Sequence, residues 1–125
     1  MIGNKYLQEL FKCPDEDTAL NQLLELLRSK DAKLIGSLAR PTDLNLCNNE
    51  EIIFLTKVAA LVDYYLQLHG IKVPAWIRDE KLEFERPYYH SQKLSDFEKF
   101  KLQYTNPSPF KIRNVYFDLK GIERI

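Results

Sequence analysis

Two histidines and two cysteines are the residues whose side chains most readily carry chemistry, and their positions decide how much chemistry the chain can claim. His69 stands at the end of a long apolar segment, just before Gly70, where an imidazole complements the negative end of a helix without any catalytic role. His90 lies between Tyr89 and Ser91, a base next to a hydroxyl, but adjacent side chains point apart and no acid is specified to orient the ring. Cys13 and Cys47 are 34 positions apart and belong to no CxxC pair, so neither a zinc ribbon nor a disulfide scaffold is indicated. A metal site from these four residues would need distant segments to converge with no ligand spacing to announce it, and none is expected. Asp15 with Asp31 and Lys33, or Asp79 with Glu80 and Lys81, superficially resembles the acid-acid-lysine set of metal-dependent nucleases. Those carboxylates belong on neighbouring strands of one sheet, however, whereas Asp15 and Asp31 open helices here. Gly3, Gly36, Gly70 and Gly121 are isolated, which removes phosphate loops, dinucleotide fingerprints and serine elbows. The expectation is a chain with no cofactor and no catalytic residue.

What remains is binding chemistry. Lys93, Lys99, Lys101, Lys111 and Arg113 gather near Phe97, Phe100, Tyr104 and Phe110, the mixture of cations and rings used by nucleic-acid surfaces. The plainer expectation is that Phe97 and Phe100 are core residues and that the lysines cover apolar surface with their stems. Trp76, Tyr88, Tyr89, Tyr104 and Tyr116 form a second set, of the types that anchor protein partners when they are not needed inside. Arg113 and Asn114 precede the last strand, and Asp79, Glu80 or Asp118 are the carboxylates offered to brace the arginine.

The elements that must hold these residues can be read from periodicity. Tyr6, Leu7, Leu10 and Phe11 predict a short helix ended by Pro14. Asp15, Glu16 and Asp17 cap a second, amphipathic helix running to about Lys30 on Leu20, Leu23, Leu24 and Leu27. Leu34, Ile35 and Leu38 give a short third helix between Asp31 and Arg40, too poor in cations to read a DNA groove. The best-defined element spans Asn49 to His69, with Asn48 or Asn49 as cap, Glu50 and Glu51 in its first turn and Gly70 as its stop. Apolar residues cover most of its circumference, so it should be central. Pro74 opens a turn through Trp76 and Ile77, and a fifth helix covers Leu94 to Tyr104 with Ser91 or Ser95 as cap. Lys81 to Arg86 and Val115 to Asp118 alternate like half-buried strands and are expected to pair. Asn106 to Pro109 must turn, and Leu119 to Ile125 closes the chain with a last helical turn. The expected fold is mainly α: one domain over residues 1–125, comprising a helical part to residue 49 and a central helix wrapped by the rest, with a small two-stranded β element near the C-terminus.

Composition bounds the function. Over 125 residues, 18 Lys plus Arg balance 18 Asp plus Glu, so no overall field draws the chain to polyanions. The balance is uneven along the chain: residues 1–92 carry 11 positive and 14 negative side chains, and 93–125 carry 7 and 4. The first residues lack the hydrophobic stretch of a secretory signal, and Lys57 and Asp63 interrupt the longest apolar run, so a cytoplasmic protein with no membrane attachment is expected. So apolar a central helix also raises a homodimer through Leu55, Val62 or Leu66.

The second half carries a recurring arrangement: Pro74-Ala75-Trp76-Ile77-Arg78-Asp79, then Pro87-Tyr88-Tyr89, then Pro109-Phe110-Lys111-Ile112-Arg113-Asn114-Val115-Tyr116-Phe117. Over roughly residues 50–125 it resembles a loose family of small uncharacterised prokaryotic proteins with a Pro-x-Trp-x-x-Asp segment and a similar terminal motif, some near toxin-antitoxin or mobile genes. The resemblance implies an interaction partner rather than an enzyme, and marks Trp76, Asp79, Tyr88, Tyr89, Arg113 and Asn114 as a structural or partner-binding unit. The sequence reading is therefore a non-catalytic interaction protein, antitoxin-like or accessory, that binds another protein, such as a toxin-like protein, or itself. The alternative is a nucleic-acid binder through Lys93, Lys99, Lys101, Lys111 and Arg113. A third reading is a small metal-dependent hydrolase or nuclease using Asp79, Glu80 and His90.

Overall fold

The computed structural model describes residues 15–28, 47–90 and 93–117. The expected helices at Tyr6–Phe11 and Asp31–Arg40, and the closing turn after Leu119, lie outside the described residues. Among the described residues the chain is mainly α-helical, with a two-stranded β element near the C-terminus.

Helix α1 spans Glu16–Arg28. The Thr18 hydroxyl donates to Asp15 Oδ2 at 2.8 Å, and the Asp15 carbonyl accepts from Ala19 N. Leu20, Leu23 and Leu27 repeat at helical spacing and are buried together with Ala19. Helix α2 spans Asn49–Leu68 and starts with a full capping box: the Asn48 side chain accepts from Glu51 N, and Glu51 Oε1 accepts from Asn48 N. Its end is a Schellman motif, with Ile71 N donating to Leu66 O and Gly70 N to Gln67 O while Gly70 holds φ +65°. Glycine adopts that left-handed geometry without a Cβ penalty, which explains the stop.

Every residue of α2 from Leu55 to Asp63 is buried, as are Tyr65 and Leu66. The homodimer surface expected at Leu55, Val62 and Leu66 is therefore core: α1, two 3-10 turns and the C-terminal elements cover it within the chain. The 3-10 turns run Ala75–Arg78, behind Pro74, and Glu80–Leu82, capped by Asp79 Oδ1 accepting from Lys81 N. Strand β1 is Tyr88–Tyr89, helix α3 is Asp96–Thr105, helix α4 is Ser108–Lys111 and strand β2 is Val115–Tyr116.

Two sequence expectations change here. Lys81–Arg86 does not form the strand; Leu82 is buried in a 3-10 turn and Phe84 half-buried just after it, and Phe84 reaches across with its N to Arg113 O and its carbonyl to Asn114 Nδ2. The strand follows Pro87, and it pairs in parallel, Tyr88 opposite Val115 and Tyr89 opposite Tyr116, so α3 and α4 form the crossover that a parallel pair requires. The Asn106–Pro109 turn runs straight into α4, because Pro109 falls in its first turn, where no intrahelical N–H bond is lost.

Candidate interaction face and its support

Arg113 organises the C-terminal half. It follows α4 and is 1% exposed, with Nη1 donating to Pro109 O and Nη2 to Ile77 O, each at 2.8 Å. Nη2 also lies 2.9 Å from Asp63 Oδ2 on α2. Oδ2 receives no well-aligned N–H, so this contact is electrostatic; Oδ1 accepts from Gln67 Nε2 at 2.9 Å and lies 3.4 Å from Arg78 Nη2. Burial pushes the Arg113 guanidinium below its ordinary pKa, and the Asp63 carboxylate opposes that shift. A single guanidinium thus joins α2, the first 3-10 turn and α4. Its carboxylate is Asp63 rather than Asp79 or Glu80, which the sequence offered; Asp118, also offered, lies outside the described residues.

Asn114 sits next to it at φ +58°, in the left-handed region that asparagine tolerates. Its Nδ2 donates to Phe84 O, its Oδ1 accepts from Tyr116 OH, and its carbonyl accepts from Tyr88 N. Tyr88 lies tilted against Phe84 and receives Lys57 Nζ 5.0 Å from its ring centroid, while that buried amine makes a 2.9 Å ion pair with Glu16 of α1. Tyr89 packs near Tyr116, whose phenol burial pushes above its ordinary pKa, with the neighbouring Tyr89 adding to the shift. Trp76 packs half-buried against the core and Asp79 caps a 3-10 turn. The partner-binding candidates Trp76, Asp79, Tyr88, Tyr89, Arg113 and Asn114 are thus engaged in intramolecular contacts that tie three segments together.

The basic candidates are dispersed. Arg113 is inside, Lys99 leans over the Tyr89 ring at 5.6 Å, and Lys93, Lys101 and Lys111 are exposed. Among the described residues no three of His, Cys, Asp and Glu gather as a metal site would require, and no helix is long and apolar enough to cross a membrane.

Sequence reasoning missed the most exposed feature. Helix α3 begins with a capping box in which Ser95 Oγ accepts from Glu98 N and Glu98 Oε1 accepts from Ser95 N, yet it buries no residue at all. Its inner side combines half-buried Leu102 with polar groups: Gln103 Nε2 donates to Tyr89 OH, and Lys99 covers the same ring. Phe97, Phe100 and Tyr104 face outward, 73%, 67% and 76% exposed, with the rings of Phe100 and Tyr104 near parallel and 6.5 Å apart. At 3.6 residues per turn the three fall within an arc of about 60°, with half-buried Leu102 opposite them and Lys99 and Gln103 to one side of it. Phe97 and Phe100 are surface residues, correcting their assignment to the core, because β1 presents a tyrosine hydroxyl and ring face that a lysine and a glutamine satisfy.

Below α3 the chain is fixed firmly. Asn106, buried at the end of the helix, uses its amide like a strand edge: Nδ2 donates to Phe117 O and Oδ1 accepts from Phe117 N, both at 3.1 Å. Phe117 in turn stacks on His90 and meets Phe110 edge-on. Compared with known proteins, the chain matches no family model, no curated protein and no solved structure.

Proposed function

We propose that the chain is a non-catalytic interaction protein whose docking face is the outer side of α3. The observation that carries this reading is the exposed aromatic stripe of that helix, with Phe97, Phe100 and Tyr104 in solvent and Leu102, Lys99 and Gln103 on the side towards the body. Anchors at i, i+3 and i+7 are the pattern by which an amphipathic helix seats itself on another protein, and aromatic residues dominate the energetics of such contacts. The residues of the resemblance, Arg113 and Asn114 above all, act as the frame that presents α3. An antitoxin-like or accessory role in a small bacterial locus rests on that resemblance alone.

The test is capture on the tagged chain from nuclease-treated host extract, comparing the native face with a variant carrying Phe97→Gln, Phe100→Gln and Tyr104→Gln. A protein retained by the native chain, an untagged copy of the chain included, and lost with the variant is the expected result. Identical capture by both chains removes α3 as the docking face.

A nucleic-acid reading draws on one observation, the near-parallel exposed rings of Phe100 and Tyr104 beside exposed Lys101. With Arg113 buried, it retains Lys93, Lys101 and Lys111 as exposed cations and Lys99 on a tyrosine ring. Binding of a single-stranded oligonucleotide that weakens steeply with salt would favour it; a flat response or no binding would exclude it.

A further inference from the structure

We infer that α3 is a latched flap: it releases from the body and unwinds as one unit while the rest of the fold stays in place, with Tyr89 as its latch and Asn106 as its fixed end. The release stands on the contacts of the helix itself; its consequence for docking rests on the reading of α3 as the docking face.

Helix α3 has ten residues, and an isolated helix shorter than about 12–15 residues is marginal in water. The capping box of Ser95 and Glu98 satisfies its first turn, but the rest of its stability must come from packing. Little packing is available. No residue of α3 is buried, Leu102 is half-buried, and no other helix or strand packs extensively along it. Among the described residues its polar side-chain ties to the body converge on Tyr89: Gln103 Nε2 donates to the hydroxyl, and Lys99 Nζ stands 5.6 Å from the ring centroid. One side chain on β1 thus holds two successive turns of the helix.

The end of the helix is built differently. Asn106 is 1% exposed and its amide engages both backbone polar groups of Phe117, so this residue stays with the chain just after β2. Its backbone is extended at ψ 140°, and Pro107 bars helical continuation from α3 into α4. Unwinding therefore stops at Asn106. Helix α4 keeps its own bonds from Phe110 N to Pro107 O and from Ile112 N to Ser108 O, and the Arg113 joint to Asp63, Pro109 and Ile77 uses no atom of α3. Phe97, Phe100 and Tyr104 share one side only while α3 is helical, so the docking face exists only in the latched state. A partner on that face holds the latch shut, and a weakened latch lowers the partner's apparent affinity in proportion to the latched fraction.

The experiment is native-state amide hydrogen exchange of the full chain, followed by NMR in urea concentrations below the unfolding transition, beside Tyr89→Phe, Gln103→Met and Ile77→Val. Tyr89→Phe keeps the ring under Lys99 and removes the hydroxyl; Gln103→Met removes the same bond from the other side at similar helix propensity. The α3 amides that donate within the helix, Lys99 to Thr105, are expected to share one opening constant. It should depend weakly on urea and be at least about 100-fold larger than that of the buried α2 amides. Each latch variant should raise it about threefold to tenfold along the whole of α3, the effect of one lost hydrogen bond. Ile77→Val, at a core side chain with 0% exposure, should raise the α2 constant by a similar factor and leave the α3 constant unchanged, because α3 opens without the core. If the α3 constant rises together with that of α2 in Ile77→Val, α3 opens only by global unfolding and the flap is overturned. Protection graded from the helix ends overturns the single unit, and an α3 constant unmoved by either latch variant overturns Tyr89 as the latch. Exchange needs no partner, so the flap and the docking face fail separately, the first on these constants and the second on the capture comparison.

Discussion

Arg113 Nη2 stands 2.9 Å from Asp63 Oδ2 with both side chains out of solvent, so the turn after α4 is held to the middle of the most buried helix by an ion pair spanning fifty residues of sequence. The guanidinium also satisfies the carbonyls of Pro109 and Ile77, which makes it a three-way joint between segments that share no backbone ladder.

Removing the cation should therefore be severe. Arg113→Met leaves a buried carboxylate with Gln67 and a more distant Arg78, and an expected loss of about 3–5 kcal/mol in unfolding free energy by urea titration. Adding Asp63→Leu should recover only part of it, because the Pro109 and Ile77 carbonyls still lack their donor. A full recovery would show that the carbonyl contacts contribute nothing.

Asn114 separates backbone from side-chain effects. Asn114→Gly keeps φ +58° unstrained and loses the bonds to Phe84 and Tyr116, whereas Asn114→Ala loses those bonds and adds strain. Alanine should be the less stable of the two by about 1 kcal/mol, read from paired thermal unfolding curves.

Tyr116 gives a pH dependence with a definite sign. Desolvation, with Tyr89 adding to it, raises the folded pKa above the ordinary 10.0, so above that value the unfolded phenol ionises first and the folded state holds the extra proton. Stability is fully present below pH 10.0 and falls as pH rises towards the folded pKa. Denaturation midpoints followed across that alkaline range should decline, and Tyr116→Phe should flatten the decline while losing the neutral-pH bond to Asn114. An equal slope in the variant would assign the decline to other tyrosines.

The outer face of α3 should be silent in stability. The combined Phe97→Gln, Phe100→Gln and Tyr104→Gln variant is expected to stay within about 1 kcal/mol of the native chain. By contrast, Phe110→Ala, at a side chain with 0% exposure between Tyr64 and Phe117, should cost about 3–5 kcal/mol. A large loss in the triple variant would mean that α3 packs inward in solution.

The sequence shows helix α2 almost in full, because its boundaries are written in local chemistry: Asn48 with Glu51 at one end and Gly70 at the other. Leu20, Leu23 and Leu27 likewise mark the inner side of α1. The strand pair was harder to read, since two-residue strands show no periodicity and Leu82 and Phe84 point inward from a 3-10 turn as readily as from a strand. Arg113 could be recognised as a bracing residue, but its partner depends on tertiary contact; the nearest cue was Asp63, a lone carboxylate in an otherwise apolar stretch of α2. For α3, periodicity identifies an aromatic stripe and cannot say which way it faces. Tyr89 decides that, by taking Gln103 and Lys99 on the inside.

The parallel pairing of β1 and β2 places α3 in the crossover between them, secured by Asn106 below and Tyr89 behind. Its outward residues are consequently an exchangeable cassette. New side chains at positions 97, 100 and 104 can therefore replace the aromatic ones without repacking the core.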